Sequence, residues 1–155
     1  MDVDAYIPPE YILNEIQKLD IYKRIAGIEN QVECDDIVEE LLDRFGNIPT
    51  SVYNLLRISL IRVQAHKLYM TEVQGKNEVL KITLKQDAKI NPGKIPELIE
   101  EYQGKLQFNI KGTPFFLYRY KKCGVVEKDA ELLLQLTEEL LQAMDILLGD
   151  LGKTT

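Results

Sequence analysis

The stretch EVLKITLK, residues 78–85, decides the fold class because it marks a change of period along the chain. It alternates apolar with polar residues, with Leu80, Ile82 and Leu84 set against Lys81, Thr83 and Lys85. This period of two predicts a strand with one buried and one solvated side. Two later segments alternate in the same way, Leu106–Ile110 and Phe116–Tyr120. Residues 69–73 are a weaker candidate strand that could pair with the first.

Apolar residues on either side of these strands recur at helical spacing. Helices are predicted from the Pro8-Pro9 pair to about Ile28, from Asp36 to Phe45, from Thr50 to Leu68, from Pro92 to Tyr102 and from Asp129 to Leu148. For the second helix, Asp36 and Glu39 have the spacing of a capping box, and Gly46 stands where a left-handed terminal residue is expected. The order predicts an α+β fold: three N-terminal helices, one or two strands, a helix, two strands forming a small antiparallel or mixed sheet, and a long C-terminal helix.

The last predicted helix is apolar over an unusually wide arc of about 240°. A surface helix usually needs an apolar stripe nearer 100°. Such a helix is either packed on several sides within the fold, or covered by something outside these residues. Both interpretations stay open at this point.

Composition narrows the class of protein. The 155 residues are 45% hydrophobic and 28% charged, with a net charge of -6, which fits one globular domain over 1–155 and counts against a general phosphate-backbone binder. No run of residues is long and apolar enough to predict a membrane span, and no signal peptide is apparent. Cys34 and Cys123 are far apart in sequence, and His66 is the single histidine that could join them in a metal site. We therefore expect reduced thiols in the cytoplasm and no metal site.

No catalytic constellation stands out either. The tail from Gly149 to Thr154 resembles the end of a phosphate-binding loop, but it lacks the first glycine of that motif and follows a predicted helix. His66 has no adjacent nucleophile or second metal ligand. The sequence therefore predicts that this chain is not an enzyme and holds no cofactor or metal of its own.

The placement of charges along the chain is more informative about function than the search for catalytic residues. Residues 29–43 hold seven acids and no Lys or Arg. Four of those acids fall within about 100° of one helix face, while apolar residues occupy the other side. The four acids are Asp36, Glu39, Glu40 and Asp43, and the apolar residues are Ile37, Val38, Leu41, Leu42 and Phe45. This acidic stripe is either a solubilising face or a docking surface for a basic partner.

The segment 111–128 gives an alternative function. It mixes basic residues with Phe116, Tyr118 and Tyr120, a combination typical of nucleic-acid binding. On an alternating strand the three aromatics share one side, whereas Arg119 and Lys121 point to the other. That arrangement favours a core on one side and solvent on the other, so direct DNA binding is not the leading expectation.

Three stretches together resemble the C-terminal domain of the bacterial transcription-repair coupling factor (Mfd) family. They are AYIPPEYI at 5–12, IYKRIAGI at 21–28 and EELLDRFGNIPTSVYNLL at 39–56. The likeness extends over residues 5 to about 70. It implies that these residues form a C-terminal regulatory domain, part of a much larger protein.

The resemblance also implies a function. The whole factor is a cytoplasmic ATP-driven DNA translocase that removes stalled RNA polymerase and recruits excision repair through UvrA. Its ATP and Mg sites would lie in motor domains outside these residues. The C-terminal domain would dock on a UvrB-like N-terminal module, cover its UvrA-binding surface and so hold the factor in a repressed state. In the family, the acids that match Glu40 and Asp43 face basic residues of that module.

Overall fold

The computed structural model describes residues 3–149, which divide into two compact units, Val3–Val63 and a second unit that begins at Gln64. The elements in order are α1 (Glu15–Ala26), α2 (Gln31–Phe45), α3 (Thr50–Lys67), β1 (Met70–Lys76), β2 (Val79–Leu84), α4 (Ile95–Glu101), β3 (Leu106–Asn109), β4 (Phe115–Arg119) and α5 (Val126–Ala143). Short 3-10 helices precede α4 and follow α5. The predicted α+β order is confirmed. The loop-like tail lies outside the described residues, apart from Gly149.

The first unit encloses an apolar core formed by α1, α2, the first part of α3 and the segment before α1. Its buried members are Ile7, Ile12, Ile21, Ile25, Ile28, Cys34, Ile37, Leu41, Val52 and Leu56. The members that lie on α1, α2 and α3 recur at helical spacing, so each helix turns one stripe inward and leaves its other side in water.

The first helix begins later than predicted. Pro8 starts a turn, in which the Tyr11 amide donates to the Pro8 carbonyl at 3.0 Å, and α1 opens only at Glu15. Asn14 is its N-cap because the Asn14 side chain accepts a hydrogen bond from the Gln17 amide at 3.0 Å. Leu13, Ile16 and Leu19, which fit the predicted apolar spacing, are instead 83%, 80% and 58% exposed.

The second helix begins five residues earlier than predicted, at Gln31. The Asn30 side chain accepts from the Glu33 amide at 2.9 Å, and the Glu33 carboxylate accepts from the Glu29 amide at 2.8 Å. The capping acids are therefore not Asp36 and Glu39, which lie within the helix. At the other end, Gly46 has a φ of 84° and ends the helix as expected.

In the second unit, four strands form an antiparallel sheet in the order β1-β2-β4-β3. The weak candidate strand, β1, is real and pairs with β2. Asn77 and Glu78 connect the two strands with φ angles of 55° and 61°, as in a tight two-residue hairpin turn. The alternation of β2 places Leu80, Ile82 and Leu84 in the core, as predicted.

The other side of the sheet, which we call the outer face, carries three rows of residues aligned across the strands. They are Lys76, Val79 and Arg119; Gln74, Lys81, Leu117 and Gln107; and Glu72, Thr83, Phe115 and Asn109. Each of these residues is exposed or half-buried. The sheet therefore has one buried and one solvated side.

Helix α5 accounts for the wide apolar arc of the C-terminal segment. Buried residues along α5 and the following 3-10 helix are Leu133, Leu134, Leu140, Leu141, Met144 and Leu147, whereas Leu136 is half-buried and Ile146 is 36% exposed. Most of the arc is thus buried. α5 begins three residues earlier than predicted, and its last turns tighten into the 3-10 helix at Met144–Leu148.

Gly75 of β1 lies where the Leu133 side chain of α5 packs against the sheet. A Cβ atom at this position would lie 2.5 Å from Cδ1 and 2.6 Å from Cδ2 of Leu133. Leu133 is only 2% exposed and has little room to move. The missing side chain of Gly75 therefore allows the leucine to pack directly on the strand.

We expect Gly75→Ala to lower the free energy of unfolding by about 1–3 kcal/mol, because overpacking displaces Leu133. Urea denaturation measures this loss. Gly27→Ala is the matched control, since its Cβ would meet only ordinary contacts at 3.5 Å or beyond and its φ is -91°. Equal losses in the two variants would contradict the assigned contact.

Leu140→Ala should cost about 2–5 kcal/mol, because Leu140 is 1% exposed and its truncation leaves a cavity. Leu136→Ala should cost clearly less, since solvent already reaches that side chain. Denaturant titration of both variants compares them directly. A loss below about 1 kcal/mol for Leu140→Ala would mean that the burial of α5 is wrong.

Candidate functional site

The four acids of the predicted stripe lie on α2 but do not have equivalent surroundings. Asp36, Glu39 and Asp43 are exposed, whereas the Glu40 side chain keeps 32% of its surface accessible. Among the residues that the structure describes, the three exposed acids make no ion pair. The stripe therefore consists of three solvated carboxylates beside one that is held within the unit.

Glu40 is held by two arginines. Its Oε2 atom accepts from Nη1 of Arg24, at 2.6 Å, and from Nη1 of Arg44, at 2.7 Å. Arg44 lies one turn further along α2, whereas Arg24 belongs to the last turn of α1. Hydrogen bonds from Arg24 and then from Arg44 hold the pKa of Glu40 below its ordinary value. The carboxylate thus joins the ends of two helices.

Aromatic contacts fix the end of α2 next to this pair. The Arg44 guanidinium lies 4.9 Å from the centroid of the Phe45 ring, a cation–π distance. Phe45 in turn lies 5.8 Å from the Tyr11 ring, and the Tyr11 hydroxyl donates to the Gly46 carbonyl at 3.0 Å. These contacts position Arg44 and close the helix at Gly46.

The Tyr-Lys-Arg-Ile-Ala motif serves the same purpose at the end of α1. The Tyr22 hydroxyl accepts from the Ile7 amide at 2.8 Å. The last carbonyls of the helix accept from α3: Ser59 Oγ donates to Ile25 at 3.0 Å, and Arg62 Nη2 donates to Ala26 at 3.0 Å. Helix-end carbonyls need such donors, so much of this motif holds the unit together.

Sequence reasoning missed both arginines and misplaced one leucine. Arg44 could have been found from its i, i+4 spacing to Glu40, but Arg24 is 16 residues away and no local pattern links the two. Leu42 was expected on the packed side of α2, yet it is 45% exposed. Val32 is also exposed, at 68%.

The basic and aromatic segment divides between the two sides of the sheet. Phe116 and Tyr120 are buried and Arg119 is exposed, as the alternation predicted. The outer face nevertheless has an aromatic residue of its own. Phe115 lies there, with Lys81 Nζ 4.5 Å from the centroid of its ring.

Within residues 3–149, no three His, Cys, Asp or Glu side chains are placed to hold a metal ion. No helix in that part of the chain is long and apolar enough to cross a membrane. Of the two cysteines, Cys34 is buried, and burial raises the pKa of its thiol, whereas Cys123 is exposed. The charged groups of α2 and of the sheet are therefore the candidate functional groups.

Comparison with known proteins identifies the family. A family profile described as the TRCF domain matches residues 1–95. A transcription-repair-coupling factor of Bacillus subtilis (strain 168) is 29% identical over 114 residues, which cover 72% of this chain and 10% of that protein. One of Staphylococcus aureus (strain USA300) is 38% identical over 91 residues, covering 59% of this chain and 8% of that protein.

The likeness extends to structure. The solved C-terminal domain of transcription-repair coupling factor superposes with a TM-score of 0.71 at 26% identity, covering 94% of this chain and 91% of that one. The chain spans about a tenth or less of the curated relatives it matches. It therefore belongs to the TRCF domain family, the C-terminal domain of transcription-repair coupling factors.

Proposed function

We propose that this chain is a non-catalytic regulatory domain of a transcription-repair coupling factor, and that it acts in DNA repair by docking. The partner is the UvrB-like N-terminal module of the same factor. Docking covers the UvrA-binding surface of that module and keeps the factor repressed until it is engaged. The surface that docks is the outward side of α2.

The observation that carries this proposal is the composition of that outward side. Exposed apolar residues lie among the acids: Val32 is one helical turn before Asp36, and Leu42 is three residues after Glu39. A face that only keeps the domain soluble gains nothing from two exposed aliphatic side chains. Protein interfaces, in contrast, combine apolar contact with charged groups that fix orientation.

The negative charges on α2 also fit a basic surface on the UvrB-like module. Asp36, Glu39 and Asp43 are solvated and have no ion-pair partner among the described residues, so their charges are available to a basic surface. In the family that the sequence resembles, the docked module presents basic residues at this position. Bidentate contacts between arginine and carboxylate would give such an interface both strength and direction.

Glu40 has a different role in this proposal from that of the exposed acids. Its Oε2 already accepts hydrogen bonds from Arg24 and Arg44. We therefore assign direct contact with the module chiefly to Asp43, Glu39 and Asp36. Glu40 is a positioning residue, which holds α1 against α2 and fixes Arg44 next to Asp43.

The remainder of the activity belongs to the parent protein. We propose that the parent is a cytoplasmic ATP-dependent DNA translocase that displaces stalled RNA polymerase and engages UvrA. Its ATP and Mg would bind in motor domains outside this chain. The regulatory domain contributes an equilibrium between docked and released states, which a partner with higher affinity for the released state would shift.

Glu39→Gln with Asp43→Asn should weaken binding of the 155-residue chain to the isolated UvrB-like module by at least about tenfold, which corresponds to 1.4 kcal/mol. The reason is that basic groups of the module lose their charged partners. Titration calorimetry at moderate salt measures the affinity. In the full-length factor, the same variant should raise both UvrA binding and basal ATP hydrolysis.

Glu100→Gln with Glu101→Gln is the matched control, because it removes two charges from exposed positions on α4. It should leave the affinity for the module unchanged. Unfolding curves of both variants should match that of the parent chain. If the α2 variant keeps its affinity for the module, then the stripe is only a solvated face and the docking proposal fails.

Glu40→Gln tests the positioning role through pH. Because the folded-state pKa of Glu40 is lowered from 4.5, its contribution to stability is present above that pH and is lost as pH falls through the lowered value. The stability difference between parent and variant should be within about 1 kcal/mol at pH 7 and should vanish in acid. Urea unfolding across pH measures it, with Glu39→Gln as the charge control. A difference that persists unchanged in acid would contradict the assigned ion pairs.

A further inference from the structure

We propose that the outer face of the sheet binds single-stranded nucleic acid. This surface belongs to the second unit, whereas the acidic side of α2 belongs to the first. The proposal goes beyond docking, because it gives the domain a second partner with the opposite charge.

The outer face of the sheet is positively charged. The outer face carries Lys76, Lys81 and Arg119 against a single acid, Glu72. Around it, residues 70–125 hold ten Lys and Arg but only six Asp and Glu, although the whole chain carries -6. The surface is therefore locally positive and complements a polyanion.

The spacing of these cations suits an extended strand of phosphates. Lys76 and Arg119 lie in one row on either side of Val79, which places their strands about 10 Å apart. Lys81 lies two residues further along the strand between them, about 7 Å from that row. Three positive groups thus form a triangle instead of one point, and can contact more than one phosphate.

Lys81 is also held in place. Its ammonium lies 4.5 Å from the centroid of the Phe115 ring, and its side chain is half-buried among its neighbours on the sheet. A cation that is already positioned loses less side-chain entropy when it binds an anion. Phe115 in addition supplies an apolar ring at the level where bases would lie.

The remaining residues of the outer face favour nucleic acid over an acidic protein. Gln74 and Gln107 carry amides, each of which can both donate to and accept from the edge of a base. Asn109 can still donate through its NH2 group, whereas its Oδ1 already accepts from the Lys111 amide at 2.9 Å. Leu117 offers apolar contact between them. Unpaired bases can lie across a four-stranded sheet and meet its exposed side chains, whereas the bases of a duplex are stacked inside it, so a single strand fits this face better.

The sequence alone does not favour direct DNA binding, because two of its features conceal the basic outer face. Net charge averages the acidic α2 with this basic face. The aromatics considered in the sequence, Phe116 and Tyr120 among them, do point into the core. Phe115, one residue earlier, is the aromatic that shares a side with the cations.

The test is fluorescence anisotropy of labelled oligothymidine and oligouridine, of about 20 nucleotides, with the full 155-residue chain. Binding is expected at about 50 mM salt and should weaken steeply towards about 200 mM, because phosphate contacts release counterions. Lys81→Gln with Arg119→Gln should reduce affinity at least about tenfold and lower the salt slope by about 1.4. Phe115→Leu should weaken binding while keeping apolar volume at that position.

The control is Lys23→Gln with Lys67→Gln, which removes two exposed charges from α1 and α3. This variant should bind as the parent chain does, and all variants should unfold at the same urea concentration within error. No binding at low salt would overturn the proposal. Equal losses in the control would also overturn it, because binding would then depend only on total charge. Competition by polyglutamate as effective as by oligothymidine would assign the face to an acidic protein and reject nucleic acid.

Discussion

The shared contact of Glu40 with Arg24 and Arg44 is the constraint that sets how the charges of α2 are presented. One carboxylate oxygen accepts from both guanidinium groups, so the end of α1 and the end of α2 are held at a single point. Without the carboxylate, two cations would face each other at short range, which is unfavourable. The contact also decides which charges remain for a partner, because it engages Glu40 and leaves Asp36, Glu39 and Asp43 in solvent.

Periodicity predicted most of the fold because burial in this chain is one-sided. The alternation in β2 and β4 has a buried and a solvated side in the structure, and α3 matches its predicted span within one residue. Helix starts were less predictable. Asn30 and Asp36 are both good capping residues, and local sequence cannot choose between them. Ile16 and Leu19 fit the helical period and lie on α1, yet both are exposed, so the period indicates a helix but not its burial.

Other features depend on residues distant in sequence. β1 is polar and contains a glycine, so its propensity is weak; it is a strand because β2 pairs with it and Leu133 packs on Gly75. The partner of Glu40 likewise comes from a different helix. The acidic stripe itself was visible from sequence, but the separation of its acids into three solvated groups and one held group required tertiary structure. The resemblance to a family assigned a docking partner to the stripe without describing these contacts.

Net charge is a poor guide to this domain because opposite charges are segregated along the chain. At physiological salt the Debye length is about 8 Å, so a partner responds to the charges near its own contact and hardly to those further away. The acids of α2 lie in the first unit and the cations of the outer face in the second, so each charge pattern is local to its own unit. The two proposals accordingly assign a basic protein surface to the acids and a polyanion to the cations, although a net charge of -6 would favour only the first. The two proposals together require this segregation, because an evenly mixed surface would offer neither a basic protein nor a polyanion a region of opposite charge.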